Sequence, residues 1–253
     1  MTTLDDIAPV ARFALPDGRH LAWRHVAGAG PTIVFLPGYK SDMNGSKALA
    51  VLEWAAAQGS GCLLFDYTGC GQSDGQFCDG TLSRWRDEVI ALIDHAGLDR
   101  VVLAGSSMGG WLMLLMAEAL GARVAALVGI AAAPDFTDWG IDAAARALLA
   151  AGQVVFEDNP YGPEPTPTYP GFWVDGQAHL RLSTAIGFFG PVRLLHGQAD
   201  TDVPWDIALQ LSAALCSADV QTRLIKDGDH RLSRHADIAL LLATLAELLQ
   251  GIA

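Results

Sequence analysis

One serine sits where chemistry is possible. Gly105-Ser106-Ser107-Met108-Gly109 follows the apolar run Val101-Val102-Leu103-Ala104 and precedes Gly110-Trp111-Leu112-Met113-Leu114-Leu115. G-x-S-x-G between a strand and a helix is a nucleophile elbow: the turn strains the serine backbone and lifts its Oγ above the sheet, and the glycines let the helix pass close to the strand. A serine hydroxyl is a poor nucleophile at neutral pH, so it needs a base, and the base needs a third group to fix its tautomer and stabilise its cation. Asp200, in His196-Gly197-Gln198-Ala199-Asp200-Thr201-Asp202-Val203-Pro204, follows the apolar run 192–195. His230, in Asp227-Gly228-Asp229-His230, follows the run 220–225. Loops at the carboxyl ends of parallel strands point side chains into a shared crevice. Ser107 as nucleophile, His230 as base and Asp200 as its orienting acid would form and hydrolyse an acyl-enzyme.

Each residue has a neighbour that competes for its role. Ser106 is adjacent, but Ser107 is the central residue of the pentapeptide and Ser106 is read as a satisfied turn hydroxyl. Asp202 is the alternative acid; Asp200 is preferred because it comes earlier in the loop, while Asp202 can cap the helix expected after Pro204. Of seven histidines, His230 alone follows a late strand and precedes the last helix. His235 belongs to that helix and is expected at the surface, and His196 ends a strand, where it is expected to satisfy local backbone. His20, His25, His95 and His179 are assigned structural or solvated roles.

Acyl transfer also needs donors for the developing oxyanion, each worth about 10²–10³ in rate. One is the N–H after the nucleophile, here Met108. The second belongs to the loop after an early strand, Leu36-Pro37-Gly38-Tyr39-Lys40-Ser41-Asp42, and falls by position on Tyr39. Gly38 is placed at the substrate. The glycine-rich Asp66-Tyr67-Thr68-Gly69-Cys70-Gly71-Gln72-Ser73-Asp74 lacks both phosphate-loop patterns and reads as a structural turn near the site. The aromatic residues are mostly core by composition, but Phe172 and Trp173 lie where they can line an acyl pocket.

The elements that must hold these residues follow from the hydropathy pattern. Runs 10–15 and 19–26, separated by Pro16-Asp17-Gly18, form a hairpin. The continuous apolar run 32–36 is a strand buried on both faces, 61–65 and 192–195 are further buried strands, and 100–104, 124–130 and 220–225 complete the set. Helices are expected over 44–58, capped by Asn44 or Ser46, and over 81–96, from the elbow to near Gly121, over 205–215 and over 234–249. This alternation predicts a mostly parallel twisted sheet with helices on both faces and the hairpin as its antiparallel edge. Residues 134–190 break the rhythm: one short helix, 143–151, precedes 159–171, whose five prolines forbid a helix interior or a central strand. The expected organisation is a core of 1–133 and 191–253 with a small lid, 134–190, over the strand ends.

The 253 residues suffice for one α/β domain, and 51% hydrophobic with 17% charged residues is a globular composition. Sixteen basic against twenty-eight acidic side chains give a net charge of −12, which repels nucleic acid and anionic membrane surfaces. The longest apolar stretches, 111–117 and 238–245, fall short of the roughly 20 residues that span a bilayer, so no stable membrane insertion is expected. Cys62, Cys70, Cys78 and Cys216 show no C-x-x-C and no zinc-ligand spacing. No metal is therefore expected, and reduced thiols suit a cytoplasmic protein. The acidic start, Met1-Thr2-Thr3-Leu4-Asp5-Asp6, has no secretory signal pattern.

From about residue 31 onward the chain resembles the α/β-hydrolase family of the animal mitochondrial palmitoyl-protein thioesterases, which also cleave acyl glucuronides. The resemblance is carried by Pro37-Gly38-Tyr39-Lys40-Ser41-Asp42-Met43-Asn44-Gly45-Ser46-Lys47-Ala48 and Phe65-Asp66-Tyr67-Thr68-Gly69-Cys70-Gly71-Gln72-Ser73-Asp74-Gly75. It continues in Gly105 to Leu114, Arg193-Leu194-Leu195-His196-Gly197, Val203-Pro204-Trp205 and Asp229-His230-Arg231. It implies the α/β-hydrolase fold and serine-dependent cleavage of acyl thioesters and esters without a cofactor, with nucleophile, acid and histidine at Ser107, Asp200 and His230. The expected partner is a small-molecule or S-acylated substrate. The family's targeting extension does not match here, and neither does the proline-rich part of 134–190. A short-chain carboxylesterase, a perhydrolase or a C–C hydrolase would use the same residues. A non-catalytic binding protein on this fold is the reading from a different class.

Overall fold

Strand residues alternate between two apolar cores, and this alternation sets the layers. The protein is seen here as a computed structural model that describes residues 3–160 and 162–252. Met1 and Thr2 of the acidic start, Tyr161 of the proline-rich segment, and Ala253 lie outside the described residues. A short α1 (Leu4–Ile7) leads into β1 (Ala11–Ala14), β2 (His20–Val26), β3 (Ala29–Leu36), α2 (Ser46–Gln58) and β4 (Ser60–Phe65). Next come α3 (Leu82–His95), β5 (Val101–Ser106), α4 (Met108–Leu120) and β6 (Val124–Ile130). The segment after β6 holds α5 (Phe136–Trp139), α6 (Ala143–Ala150), β7 (Val155–Glu157), β8 (Thr166–Thr168) and α7 (Pro170–Ala178). The chain closes with β9 (Val192–Gly197), α8 (Asp206–Ala214), β10 (Val220–Ile225) and α9 (His235–Ile252).

Eight of the described strands form one sheet in the order β1-β2-β4-β3-β5-β6-β9-β10. The β1–β2 and β2–β4 pairs are antiparallel and the rest parallel, so the expected α/β architecture with an antiparallel edge holds. Val34, Leu36, Leu63, Phe65, Val101 and Leu103 face one side, against α3 and α4. Ile33, Phe35, Cys62, Leu64, Val102 and Ala104 face the other, against α2 and α9. Each fully buried Leu, Ile or Phe stabilises by about 1.5–3 kcal/mol, so the strands are held from both faces. By length and composition α9 could cross a membrane. Here its Leu241, Leu245 and Leu248 pack into the second core.

Differences from the sequence reading are local. The cap of α2 is Gly45, with no side-chain bond, and Asn44 lies one residue earlier in a turn in which its N–H donates to Asp42 Oδ1 at 2.8 Å. The segment 134–190 holds three helices and a two-stranded ribbon rather than one helix and a loop. Pro167 sits inside β8, opposite Phe156; a ribbon of two strands leaves an edge on which a missing N–H costs nothing. Pro170 stands at the first position of α7, where its fixed φ suits a helix start.

The ends of β9 and β10 meet at a close backbone contact. Gln198 N–H donates to Ile225 O at 2.8 Å and Ala199 N–H to Gly228 O at 2.9 Å. A Cβ on Gly197 would lie 2.1 Å from Gly228 O, so only glycine lets these two loops touch. Gly197→Ala is expected to lower the unfolding free energy by about 1–3 kcal/mol through overpacking. At Gly187 an added Cβ meets nothing within 4 Å, so Gly187→Ala should leave stability within about 1 kcal/mol. Chemical denaturation of both variants measures the difference.

Candidate active site

Ser107 has φ 54° and ψ −121° at the junction of β5 and α4, a left-handed conformation costing of order 1–3 kcal/mol for a non-glycine residue. The surroundings hold it there. Its N–H donates to Ile130 O at 2.9 Å, and its carbonyl accepts from Gly110 N at 2.8 Å and Ala133 N at 3.0 Å. Glycines clear the space: a Cβ on Gly105 would lie 2.3 Å from Gly109 O, and one on Gly109 would lie 2.1 Å from Leu36 O.

The structure brings Ser107, His230 and Asp200 into one hydrogen-bonded chain. His230 Nε2 lies 3.1 Å from Ser107 Oγ, and His230 Nδ1 lies 2.9 Å from Asp200 Oδ2. A nitrogen facing a carboxylate carries the proton, so Nδ1–H donates to Asp200 and Nε2 is free to accept from the serine hydroxyl. The Asp200 carboxylate is fully buried, and its Oδ1 accepts the N–H of Asp202 and of Val203, both at 2.9 Å. Burial pushes this carboxyl up, but the hydrogen bonds from His196, His230 and Val203 outweigh it and hold the group well below the usual carboxylate range.

Asp202 lines the cleft and does not cap α8, whose cap position is Trp205 with no side-chain bond. His196 does more than expected: its Nε2 lies 3.1 Å from Val203 O and also 3.2 Å from Asp200 Oδ2. The sequence carried a signal for that second contact, a histidine four residues before the acid at a strand end. His235 is exposed at the start of α9, as expected.

Met108 is the first residue of α4, so its N–H has no partner within the helix. Tyr39 follows Gly38, whose added Cβ would come within 3.3 Å of Ser107 Cβ. The loop that holds both is tied down from the 66–74 turn. Tyr67 OH donates to Pro37 O at 3.2 Å, while Asp66 accepts Met43 N–H and Gln72 N–H, each at 2.7 Å. Burial pushes the Asp66 carboxyl up against the pull of those two bonds.

An open cleft of about 590 Å³ contains Ser107, His230, Gly38 and Tyr39 in its wall. Phe172 and Trp173 are not in that wall, which corrects their placement at the substrate. Phe172 is 1% exposed and packs against Tyr39 at 4.8 Å, Phe136 at 5.7 Å and Trp85 at 5.8 Å between ring centroids. Trp173 is half-buried and donates its Nε1–H to Thr137 O at 3.2 Å. Burying the Phe172 ring against three aromatic neighbours is worth more than exposing it in a wet cleft.

The cleft wall instead holds Lys40, Lys47 and Arg231 against Asp42, Glu164 and Asp202. Burial pushes the Lys47 ammonium down to about 8, and Arg231 beside it acts in the same direction. Lys47 Nζ also donates to Arg231 O, tying α2 to the loop that carries His230. Lys47 and Arg231 received no role from the sequence, although both flank segments selected for chemistry. Among the described residues, no three His, Cys, Asp or Glu side chains are grouped to hold a metal ion.

Over residues 33–241 the sequence matches the Alpha/beta hydrolase family. Mitochondrial palmitoyl-protein thioesterase ABHD10 of Mus musculus is 39% identical over 238 residues, 91% of this chain and 79% of that protein. Among solved structures, a putative hydrolase from Agrobacterium vitis S4 has a TM-score of 0.89 at 39% identity, covering 95% of this chain and 99% of that one. Mouse alpha/beta hydrolase domain-containing protein 10 has a TM-score of 0.89 at 35% identity, covering 96% and 99%. Sequence match, identity and sheet order agree, and the chain belongs to the α/β hydrolase family.

Proposed function

We propose that this protein is a serine hydrolase that cleaves acyl thioesters and carboxylic esters through an acyl-enzyme. The observation that carries this reading is the Ser107–His230–Asp200 chain on the wall of an open cleft. His230 takes the Ser107 proton as Oγ attacks the acyl carbon, and returns it to the departing thiolate or alkoxide. The N–H groups of Met108 and Tyr39 receive the charge that develops on the carbonyl oxygen. A water then gives its proton to His230 as its oxygen attacks the acyl carbon, and His230 returns that proton to Ser107 Oγ as the bond to serine breaks and the acid leaves. Asp200 stays ionised throughout, since its carboxyl lies well below the usual range.

The identity to a palmitoyl-protein thioesterase supports an S-acyl substrate, protein-borne or small. One observation favours a second reading, a short-chain carboxylesterase: the cleft wall carries six charged side chains, while Phe172 and Trp173 lie outside it. In this reading residues 134–190 act as the lid over a core of 1–133 and 191–253, supported by Asn159, Pro163, Glu164 and Thr166 in the cleft wall. The net charge of −12 speaks against nucleic acid or an anionic membrane surface as partner. The four free cysteines suit a reducing compartment, which supports a cytoplasmic location.

Ser107→Ala should lower kcat/KM by about 10⁴–10⁶, and Asp200→Asn by about 10⁴. Turnover surviving in the Ser107→Ala variant would sink the mechanism. Failure of a fluorophosphonate to label Ser107 in the wild type would point to a non-catalytic binding protein. Matched thioesters and oxygen esters from acetyl to palmitoyl separate the two substrate readings. A rise of kcat/KM toward long thioesters is expected for the depalmitoylating reading, while activity confined to short oxygen esters selects the carboxylesterase.

A further inference from the structure

We propose that His196 is a positioning residue for this reaction, holding the Asp200 carboxylate in place through its Nε2–H while His230 gains and loses its proton. The inference rests on the acyl-enzyme reading above. His196 lies in β9, opposite Leu224 of β10, and its side chain is 1% exposed. Its Nε2 faces Asp200 Oδ2 at 3.2 Å and Val203 O at 3.1 Å. Both are acceptors, so Nε2 carries the proton. Its Nδ1 is buried with no partner among the described residues. An apolar ring would fill that space without the cost of a bare buried nitrogen, so the one useful feature of this imidazole is the Nε2–H.

That donor divides the work at the carboxylate. Backbone N–H groups of Asp202 and Val203 hold Oδ1. Oδ2 is shared by His196 and His230, the latter at 2.9 Å. His230 changes protonation in every cycle, so it cannot by itself fix the group that orients it. His196 fixes it, and through Val203 O it also anchors the far end of the same loop. The titratable groups facing the carboxylate are His196 from β9 and His230 from the loop after β10. Asp202 follows in its own loop, and Asp229 precedes His230. A hydrogen bond from His196 draws charge from Oδ2 and makes it a weaker acceptor for a cationic His230. Removing it strengthens the hold on that cation and moves the acid limb of kcat/KM to higher pH.

The test uses the full chain with p-nitrophenyl acetate, measuring kcat and KM across pH and thermal unfolding. The variants are His196→Gln, His196→Asn and His196→Phe, with Ser107→Ala as the blank. A glutamine amide reaches the place of Nε2, and an asparagine amide does not. His196→Phe and His196→Asn should lose about 10–100-fold in kcat, the scale of a lost supporting hydrogen bond, with KM within about twofold and the acid limb moved to higher pH. His196→Gln should restore both to near wild type. Variants that melt like wild type yet keep its kcat and pH profile would overturn the proposal, as would a glutamine variant no better than asparagine. If the phenylalanine and asparagine variants fail to fold, ¹⁵N shifts of the wild-type ring decide. A proton on Nε2 and a bare Nδ1 at neutral pH support the role, and the opposite tautomer overturns it. Hydrolysis surviving in Ser107→Ala refutes the acyl-enzyme reading itself. A dead Ser107→Ala beside silent His196 variants refutes only the role of His196.

Discussion

Everything at this site depends on holding Ser107 in a backbone conformation that a side chain disfavours. The strain is local, but what balances it is spread over the sheet: β6 receives the Ser107 N–H, and the 107 carbonyl binds both α4 and the start of the segment after β6. The tight contacts at Gly105 and Gly109 remove the atoms that would otherwise push the turn open. The cost of order 1–3 kcal/mol is small against the two apolar cores on either face of the strands. The fold can therefore keep a strained serine at a strand end without relaxing it.

Polar satisfaction around Asp200 is the second constraint. A buried carboxylate is costly unless its lone pairs are met, and here four donors meet them from three places: its own loop, β9 and the loop after β10. These loops meet because Gly197 and Gly228 allow their backbones to touch. The same contact that packs the strand ends thus sets the spacing between His230 and its acid.

Much of this was legible in the sequence, for physical reasons. Ser107, Asp200 and His230 each come within five residues of the end of a strand-like run, so the alternation of strands and helices carries them to the carboxyl ends of parallel strands. The parallel core was legible because strands buried on both faces are apolar throughout. What stayed hidden depends on chain curvature that hydropathy does not encode. His196 meets Asp200 because loop 197–203 curls back on the strand that precedes it. Its place in the insertion points Phe172 to the cleft, whereas the face of α7 on which it sits turns it into the core. The ribbon of β7 and β8 escaped notice because Pro167 breaks strand patterning, although an edge position tolerates it.

Tyr39 shows how the insertion and the strand-end chemistry are joined. Its backbone adjoins Gly38, which packs against Ser107. Its ring lies 4.9 Å from Phe77, 6.0 Å from Phe136 and 4.8 Å from Phe172 between centroids. Its hydroxyl donates to Pro167 O of β8 at 3.0 Å. Burial pushes the phenol up, which keeps the hydroxyl protonated and donating at neutral pH. One residue therefore ties the loop beside Ser107 to an aromatic cluster drawn from α5, α7 and the core, and to the ribbon of the insertion. Phe136 and Phe172 shape the ground beneath the loop of Gly38 and Tyr39 without lining the cleft, and the packing of the insertion bears on the site through the Tyr39 backbone.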